Sequence, residues 1–122
     1  MRIRIKWSRG ETTGTLDDTP TARLLAEALP VTSTANTWGA EVYFEVPVKA
    51  KLDANPKQVV DAGTICFWVQ GSSLALPYGP TPVSEGNECR LVTAVNVLGK
   101  LDGDPKELAS IRDGDSITVE SA

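Results

Sequence analysis

The side chains that most often carry covalent chemistry are scarce in this sequence, and histidine is absent altogether. A Ser-His-Asp or Cys-His catalytic arrangement and a His-ligated zinc or iron site therefore cannot be built. Ser72, Ser73 and Ser84 have no neighbouring base, so we interpret them as turn residues. Cys66 and Cys89 match no C-x-x-C redox or zinc spacing. Cys66, inside the apolar run TICFWV, is predicted to be buried, and Cys89, in GNECRL, to be more exposed.

Two DGD motifs place acidic pairs at Asp102/Asp104 and Asp113/Asp115. A calcium loop needs further oxygen ligands and a closing glutamate at a set spacing, which neither motif has. We interpret Asp104 as a helix cap and Asp113 as a turn residue. The segment YGPTPVSEGNE lacks the glycine spacing of a phosphate-binding loop. No metal ion or cofactor is therefore expected.

Aromatic side chains at strand ends are better candidates for a binding site. In NTWGAEVYF, residues 36–44, Trp38 stands beside Gly39 at a polar corner, where its indole N–H could line a pocket. Trp68 lies on the strand face opposite its apolar neighbours, so it faces either a helix or a cleft. Tyr78 opens a long loop stiffened by prolines. That loop is either a binding element or a purely structural one.

Asn96 interrupts the apolar run TAVNVLGKL. A buried amide without hydrogen-bond partners costs about 1–3 kcal/mol, so this side chain must find partners if the run is buried. It is either a strut inside the fold or the floor of a pocket.

Alternation of apolar and polar residues predicts strands over most of the chain. Residues 2–7 place Ile3, Ile5 and Trp7 on one face, and Trp7 is expected in the core. Strands are predicted over residues 2–7, 11–16, 41–48, 64–69, 73–77, 93–101 and 116–121.

Three segments carry the same helix-start signal, a capping side chain followed by proline. The caps are Thr19, Asn55 and Asp104. The first segment is the best supported, since its apolar residues lie on one helical face and Pro30 ends it. The second is predicted to be a single turn that ends near Gly63.

Length and charge limit the classes to which the protein can belong. A chain of 122 residues without linker, repeat or low-complexity tract is predicted to form one domain, residues 1–122. The net charge of −4 and the lack of any basic run argue against a nucleic-acid partner. No apolar run is long enough to span a membrane, and we expect a cytoplasmic protein.

Many short strands with few helices predict an antiparallel barrel or closed sandwich.

Several phrases of the sequence resemble those of the small prokaryotic cyclophilin-like proteins. They are NTWGAEVYF, AKLDANPKQVVDAGTICFW, YGPTPVSEG and TAVNVLGK, in the same order and with similar spacing. The resemblance covers most of the chain. It implies a mainly β fold, a closed antiparallel eight-stranded barrel with two or three short helices over its ends.

What the resemblance implies about activity fits this sequence less well. Cyclophilins isomerise X-Pro bonds, which requires an apolar pocket for the proline ring and an arginine that donates to the prolyl nitrogen. The nearest counterpart of the arginine-bearing phrase is residues 43–46, where Glu45 takes the place of the cation. Arg90 is the one substitute that we nominate. The pocket histidine of cyclophilins has no equivalent here.

The leading hypothesis is a non-enzymatic module that binds a small molecule or an extended peptide in a surface cleft. The alternatives are a weak or divergent prolyl isomerase and a self-associating interaction protein. Candidate ligand-binding residues are Asn36, Trp38, Tyr43, Trp68, Tyr78, Thr81, Arg90 and Asn96.

Overall fold

The computed structural model describes residues 1–122, which form ten strands, one α-helix and one 3₁₀ helix. The helices are α1 (Pro20–Ala28) and the 3₁₀ helix Pro105–Ser110. The strands are β1 (Arg2–Trp7), β2 (Gly10–Leu16), β3 (Val31–Thr34), β4 (Asn36–Thr37), β5 (Glu41–Glu45), β6 (Lys57–Val60), β7 (Thr64–Trp68), β8 (Ser73–Pro77), β9 (Cys89–Leu101) and β10 (Ser116–Ser121).

Nine of the strands form a nearly closed antiparallel barrel. Their order is β3-β10-β1-β2-β9-β7-β8-β5-β4, and β6 pairs separately with β9. The two end strands follow one another in the chain, separated by Ala35 alone, but they are not hydrogen-bonded to each other. The Ala35 backbone instead bonds to Asp115 and Gly114, in the turn before β10. The barrel is therefore left open between β3 and β4. The predicted mainly β barrel is confirmed, whereas the count of eight strands is not exact.

The barrel interior is filled by alternate residues of its strands. Ile3, Ile5, Val42 and Phe44 are fully buried in one cluster of 22 hydrophobic residues. Trp7 belongs to the same cluster, and its indole N–H donates to a serine hydroxyl of the 3₁₀ helix at 2.8 Å. The period of two in the sequence therefore identified the core face of these strands.

Both helices begin at the predicted caps. The Thr19 hydroxyl accepts from the Ala22 N–H at 3.1 Å, and a proline follows the cap. The Asp104 carboxylate accepts from the Lys106 N–H at 3.0 Å at the start of the 3₁₀ helix. Helix α1 has nine residues, and neither helix is long and apolar enough to cross a membrane.

The helical turn predicted after Asn55 is wrong, because this segment forms strand β6. The side-chain amide of Gln58, in this strand, donates to the Leu91 carbonyl of β9 at 3.1 Å. Val59 pairs with Arg90, and Val60 pairs with Cys89. Strand β9 consequently begins well before the predicted residue 93. The same pairing buries Cys89, which is 4% exposed, so its predicted exposure is also wrong.

A second, smaller hydrophobic cluster lies on the outer surface of the barrel. Strands β7 and β8 send alternate residues inward to the main core, so Cys66 and Ala75 between them point outward. Leu91 and Val95 from the extended start of β9 join them. We call these four residues the outer cluster. It makes one barrel face apolar at the place where three aromatic side chains meet.

Candidate functional site

A cavity of about 210 Å³ opens above the outer cluster. The turn before β5 contributes Trp38, β5 contributes two side chains that alternate with its core residues, and β7, β8 and β9 contribute the others. Seven of the eight lining residues are hydrophobic. They are Trp38, Tyr43, Trp68, Ala75, Leu91, Val92 and Val95, and the eighth is Glu41.

Tyr43 and Trp68 form one aromatic corner of the cavity. Both strands pair with β8 on opposite sides of Ala75, whose small side chain leaves room for the two rings to meet above it. The ring centroids lie 6.0 Å apart with planes at 88°, an edge-to-face arrangement. Gly71 packs so closely against the Trp68 ring that any Cβ there would collide with it. The Trp68 Nε1–H is buried and has no hydrogen-bond partner.

Glu41 is the one charged side chain of the lining. It is 5% exposed, and its Oε1 atom has no hydrogen-bond partner. Burial away from water raises the pKa of this carboxyl from 4.5 to about 7. Sequence reasoning missed Glu41, because an acidic residue at an outward position of a strand is typical of a solvated face. Its place two residues after the Trp38-Gly39 corner was the only available signal.

A tight turn holds Trp38 over the cavity. Its backbone N–H donates to the Glu41 carbonyl at 3.0 Å, and Gly39 between them has φ = +60°. A Cβ on Gly39 would lie 2.9 Å from Thr81 Cα and 2.9 Å from Pro82 Cδ. The loop after β8 therefore backs the turn, and only glycine fits both the backbone angle and the space.

Replacing Gly39 by alanine is expected to reduce the free energy of unfolding by about 3 kcal/mol, from left-handed strain plus the collision with the loop. Gly86→Ala is the matched control. Gly86 has φ = +63° and no atom near its Cβ position, so it should lose about 1 kcal/mol from strain alone. Urea unfolding measures both variants. Equal losses would show that the loop does not press on Gly39.

The structure brings together three of the eight predicted site residues, namely Trp38, Tyr43 and Trp68. Asn36 is exposed on β4, and Tyr78 packs partly against the barrel core, where burial raises the pKa of its phenol. The buried Thr81 hydroxyl donates to the Arg90 carbonyl. The Arg90 guanidinium pairs with Glu88. None of these four predicted residues lines the cavity.

Asn96 lies away from the cavity, at the end of the barrel that α1 covers. It is fully buried, and its Oδ1 accepts from the Asp53 N–H at 2.7 Å. Its Nδ2 donates to Thr21 Oγ1 at 3.0 Å and to the Lys51 carbonyl at 2.9 Å. Because protein groups engage both ends of the amide, the structure places Asn96 as a strut and not as a pocket floor.

The side chains around the cavity offer few groups for covalent or metal chemistry. The Cys66 thiol beneath it is fully buried, and this burial raises its pKa, which makes the thiol a poor nucleophile. No group of three or more acidic, thiol or imidazole side chains is arranged to hold a metal ion. The lining offers aromatic surface, one buried indole N–H without a partner, on Trp68, and one carboxyl group, on Glu41.

The comparisons with known proteins agree with this architecture. The profile of the family described as Cyclophilin-like matches residues 1–120. The solution structure of a hypothetical protein from Archaeoglobus fulgidus is 38% identical and superposes with a TM-score of 0.85. The match covers 100% of this chain and 95% of that one. The comparison with curated proteins found no match. With almost its whole length matched by the family profile, the chain belongs to the cyclophilin-like family.

Proposed function

We propose that this protein is a non-enzymatic binding module whose cavity on the outer barrel face holds a small molecule or part of an extended peptide. The observation that carries the proposal is a pair of buried polar atoms without partners, Glu41 Oε1 and Trp68 Nε1, in an otherwise apolar lining. Such atoms destabilise a protein by about 1–3 kcal/mol each. A ligand that supplies an acceptor and a donor would recover this free energy.

The lining supports binding over prolyl isomerisation. An isomerase of the cyclophilin type needs a cation that donates to the prolyl nitrogen, and the only charged group here is a carboxyl. Glu45 is exposed, and Arg90 is engaged with Glu88. A protease-coupled proline-peptide assay is expected to give the uncatalysed rate, and saturable acceleration would favour the isomerase.

Fragment screening by thermal shift tests the binding function. A ligand selective for the native state at a hundredfold its Kd stabilises that state by about 2.7 kcal/mol. We expect hits whose stabilisation disappears in Trp38→Ala, which removes one wall of the cavity. Leu24→Ala is the control, because Leu24 is an apolar side chain on α1, 40% exposed and outside the cavity.

Self-association is the competing outcome of this screen. Val92 at the cavity is 54% exposed, so a second protein copy could cover it. A concentration-dependent dimer that Val92→Asp abolishes, together with no fragment response, would overturn the binding module.

The proposed cytoplasmic location accords with two free thiols, Cys66 and Cys89.

A further inference from the structure

We propose that the ligand of this cavity carries an organic ammonium group, held against the Glu41 carboxylate and the faces of the surrounding aromatic rings. The inference rests on the proposed binding function and specifies the chemistry of the ligand.

The carboxyl group lacks a cation of its own. None of the six ion pairs of the structure includes Glu41. Arg90, next to the lining residue Leu91, is paired with Glu88. A buried carboxylate is stable only when it is paired or neutralised by a proton. The lining contains no positively charged partner for the Glu41 carboxylate, and a cationic ligand would supply one.

The aromatic walls favour the same kind of ligand. The Tyr43 and Trp68 ring planes meet at 88°, and Trp38 adds a third aromatic wall. The faces of such rings are electron-rich and attract cations, and aromatic cages of this kind recognise quaternary ammonium groups. Aromatic surface alone would suit any apolar ligand. The buried carboxyl among the rings is what selects a cation.

The size of the cavity and its one buried donor without a partner further limit which ligands fit. A volume of about 210 Å³ lies below the range of about 300–1,000 Å³ of pockets for drug-sized ligands, so the part of the ligand that the cavity encloses is about the size of a side chain. The unpartnered Trp68 Nε1–H requires an acceptor atom. A compact ammonium compound that also carries an oxygen, such as an amino alcohol, meets both requirements.

The other titratable groups near Glu41 do not compete for the ligand's charge. Cys66 on β7 and Cys89 on β9 are buried, and their pKa values are raised by burial and by neighbouring carboxylates, Glu41 among them. Both therefore stay neutral thiols near neutral pH. Tyr43, on the same strand as Glu41, is the remaining titratable side chain of the lining.

Isothermal titration with choline and its neutral isostere 3,3-dimethylbutan-1-ol tests the charge requirement. We expect choline to bind at least tenfold more tightly at pH 8. Choline binding displaces the carboxyl proton to solvent, leaving carboxylate and cation in contact. Since the pKa of Glu41 is about 7, affinity should rise about tenfold from pH 6 to pH 8, with proton release measurable at pH 6.

Variants on the same strand give the matched comparison. Glu41→Gln should reduce the preference for choline to the part that the aromatic rings supply, and it should abolish the pH dependence. Glu45→Gln, at an exposed position of β5, should keep both. The affinities of choline and of a capped trimethyllysine peptide identify the source of the ammonium group. Tighter binding of the peptide would indicate a ligand side chain on another protein, and tighter binding of choline would indicate a free small molecule.

Three results would overturn the inference, and they separate it from the proposed function. Equal affinity for choline and its isostere would leave a binding cavity that does not require charge. Affinity that falls from pH 6 to pH 8 would show that Glu41 acts as a neutral donor. Failure of every ammonium probe and of the fragment library would remove the binding function as well.

Discussion

The wild-type protein is expected to lose about 3 kcal/mol of unfolding free energy between pH 4.5 and pH 7, relative to the Glu41→Gln variant. The loss comes from a single carboxyl group. In the unfolded chain Glu41 is solvated and ionises near its ordinary pKa of 4.5, whereas burial raises this pKa to about 7 in the folded protein.

The sign follows from counting bound protons. Between the two pKa values the folded state keeps the Glu41 proton and the unfolded state has released it, so rising pH favours unfolding. The contribution is fully present below pH 4.5, is lost as pH rises through about 7, and is constant above that. Glutamine cannot ionise, so the variant lacks this term.

Urea unfolding of both proteins at pH 4.5, 6 and 8 measures the difference between their unfolding free energies. All other titrating groups contribute equally to both proteins, so their contributions cancel in this difference. Glu45→Gln removes an exposed carboxylate from the same strand and should track the wild type at each pH. A difference between wild type and Glu41→Gln that stays constant from pH 4.5 to pH 8 would show that Glu41 is well solvated. This result would contradict the conclusion that the Glu41 carboxyl is desolvated in the cavity.

Asn96→Ala is expected to reduce the free energy of unfolding by about 2–4 kcal/mol. The substitution leaves the Asp53 N–H, the Lys51 carbonyl and the Thr21 hydroxyl without their partner. Because the amide is fully buried, water cannot take its place without opening the barrel end. The segment of residues 51–53 should therefore loosen first, and its amide hydrogens should exchange faster.

Asn36→Ala provides the matched control, since it removes an exposed asparagine whose two hydrogen bonds are long, at 3.4 and 3.5 Å. It should change the unfolding free energy by less than about 0.5 kcal/mol. Fragment binding by folded Asn96→Ala should keep the wild-type affinity, because Asn96 does not line the cavity. An undiminished unfolding free energy combined with lost binding would restore the pocket-floor alternative.

Those parts of the fold that depend on near neighbours in the chain could be predicted. The alternation around Ile3 and Ile5 identified a strand and its buried face, because successive side chains of a strand point to opposite sides. The caps Thr19 and Asp104 identified both helix starts, since a capping side chain bonds only two or three residues onward.

The same local signal failed at Asn55. Val59 and Val60 favour a strand as much as Asn55-Pro56 favours a helix start, and local preferences are too weak to decide between them. Pairing with the start of β9, about thirty residues away in the chain, decided for the strand. The extension of β9 that buried Cys89 depends on the same pairing.

The sequence alone predicted a mainly β fold, the core faces of its strands and the caps of both helices, and it excluded every chemistry that needs histidine. Tertiary structure decided which of the candidate residues meet. Trp38 and Tyr43, from the turn before β5 and from β5 itself, meet Trp68 of β7 because β8 pairs with both strands and brings them to one outer barrel face, whereas Asn96 points to the covered end. The burial of Glu41 was decided in the same way: a side chain's exposure depends on the distant segments packed over it, which its own neighbours in the sequence do not encode.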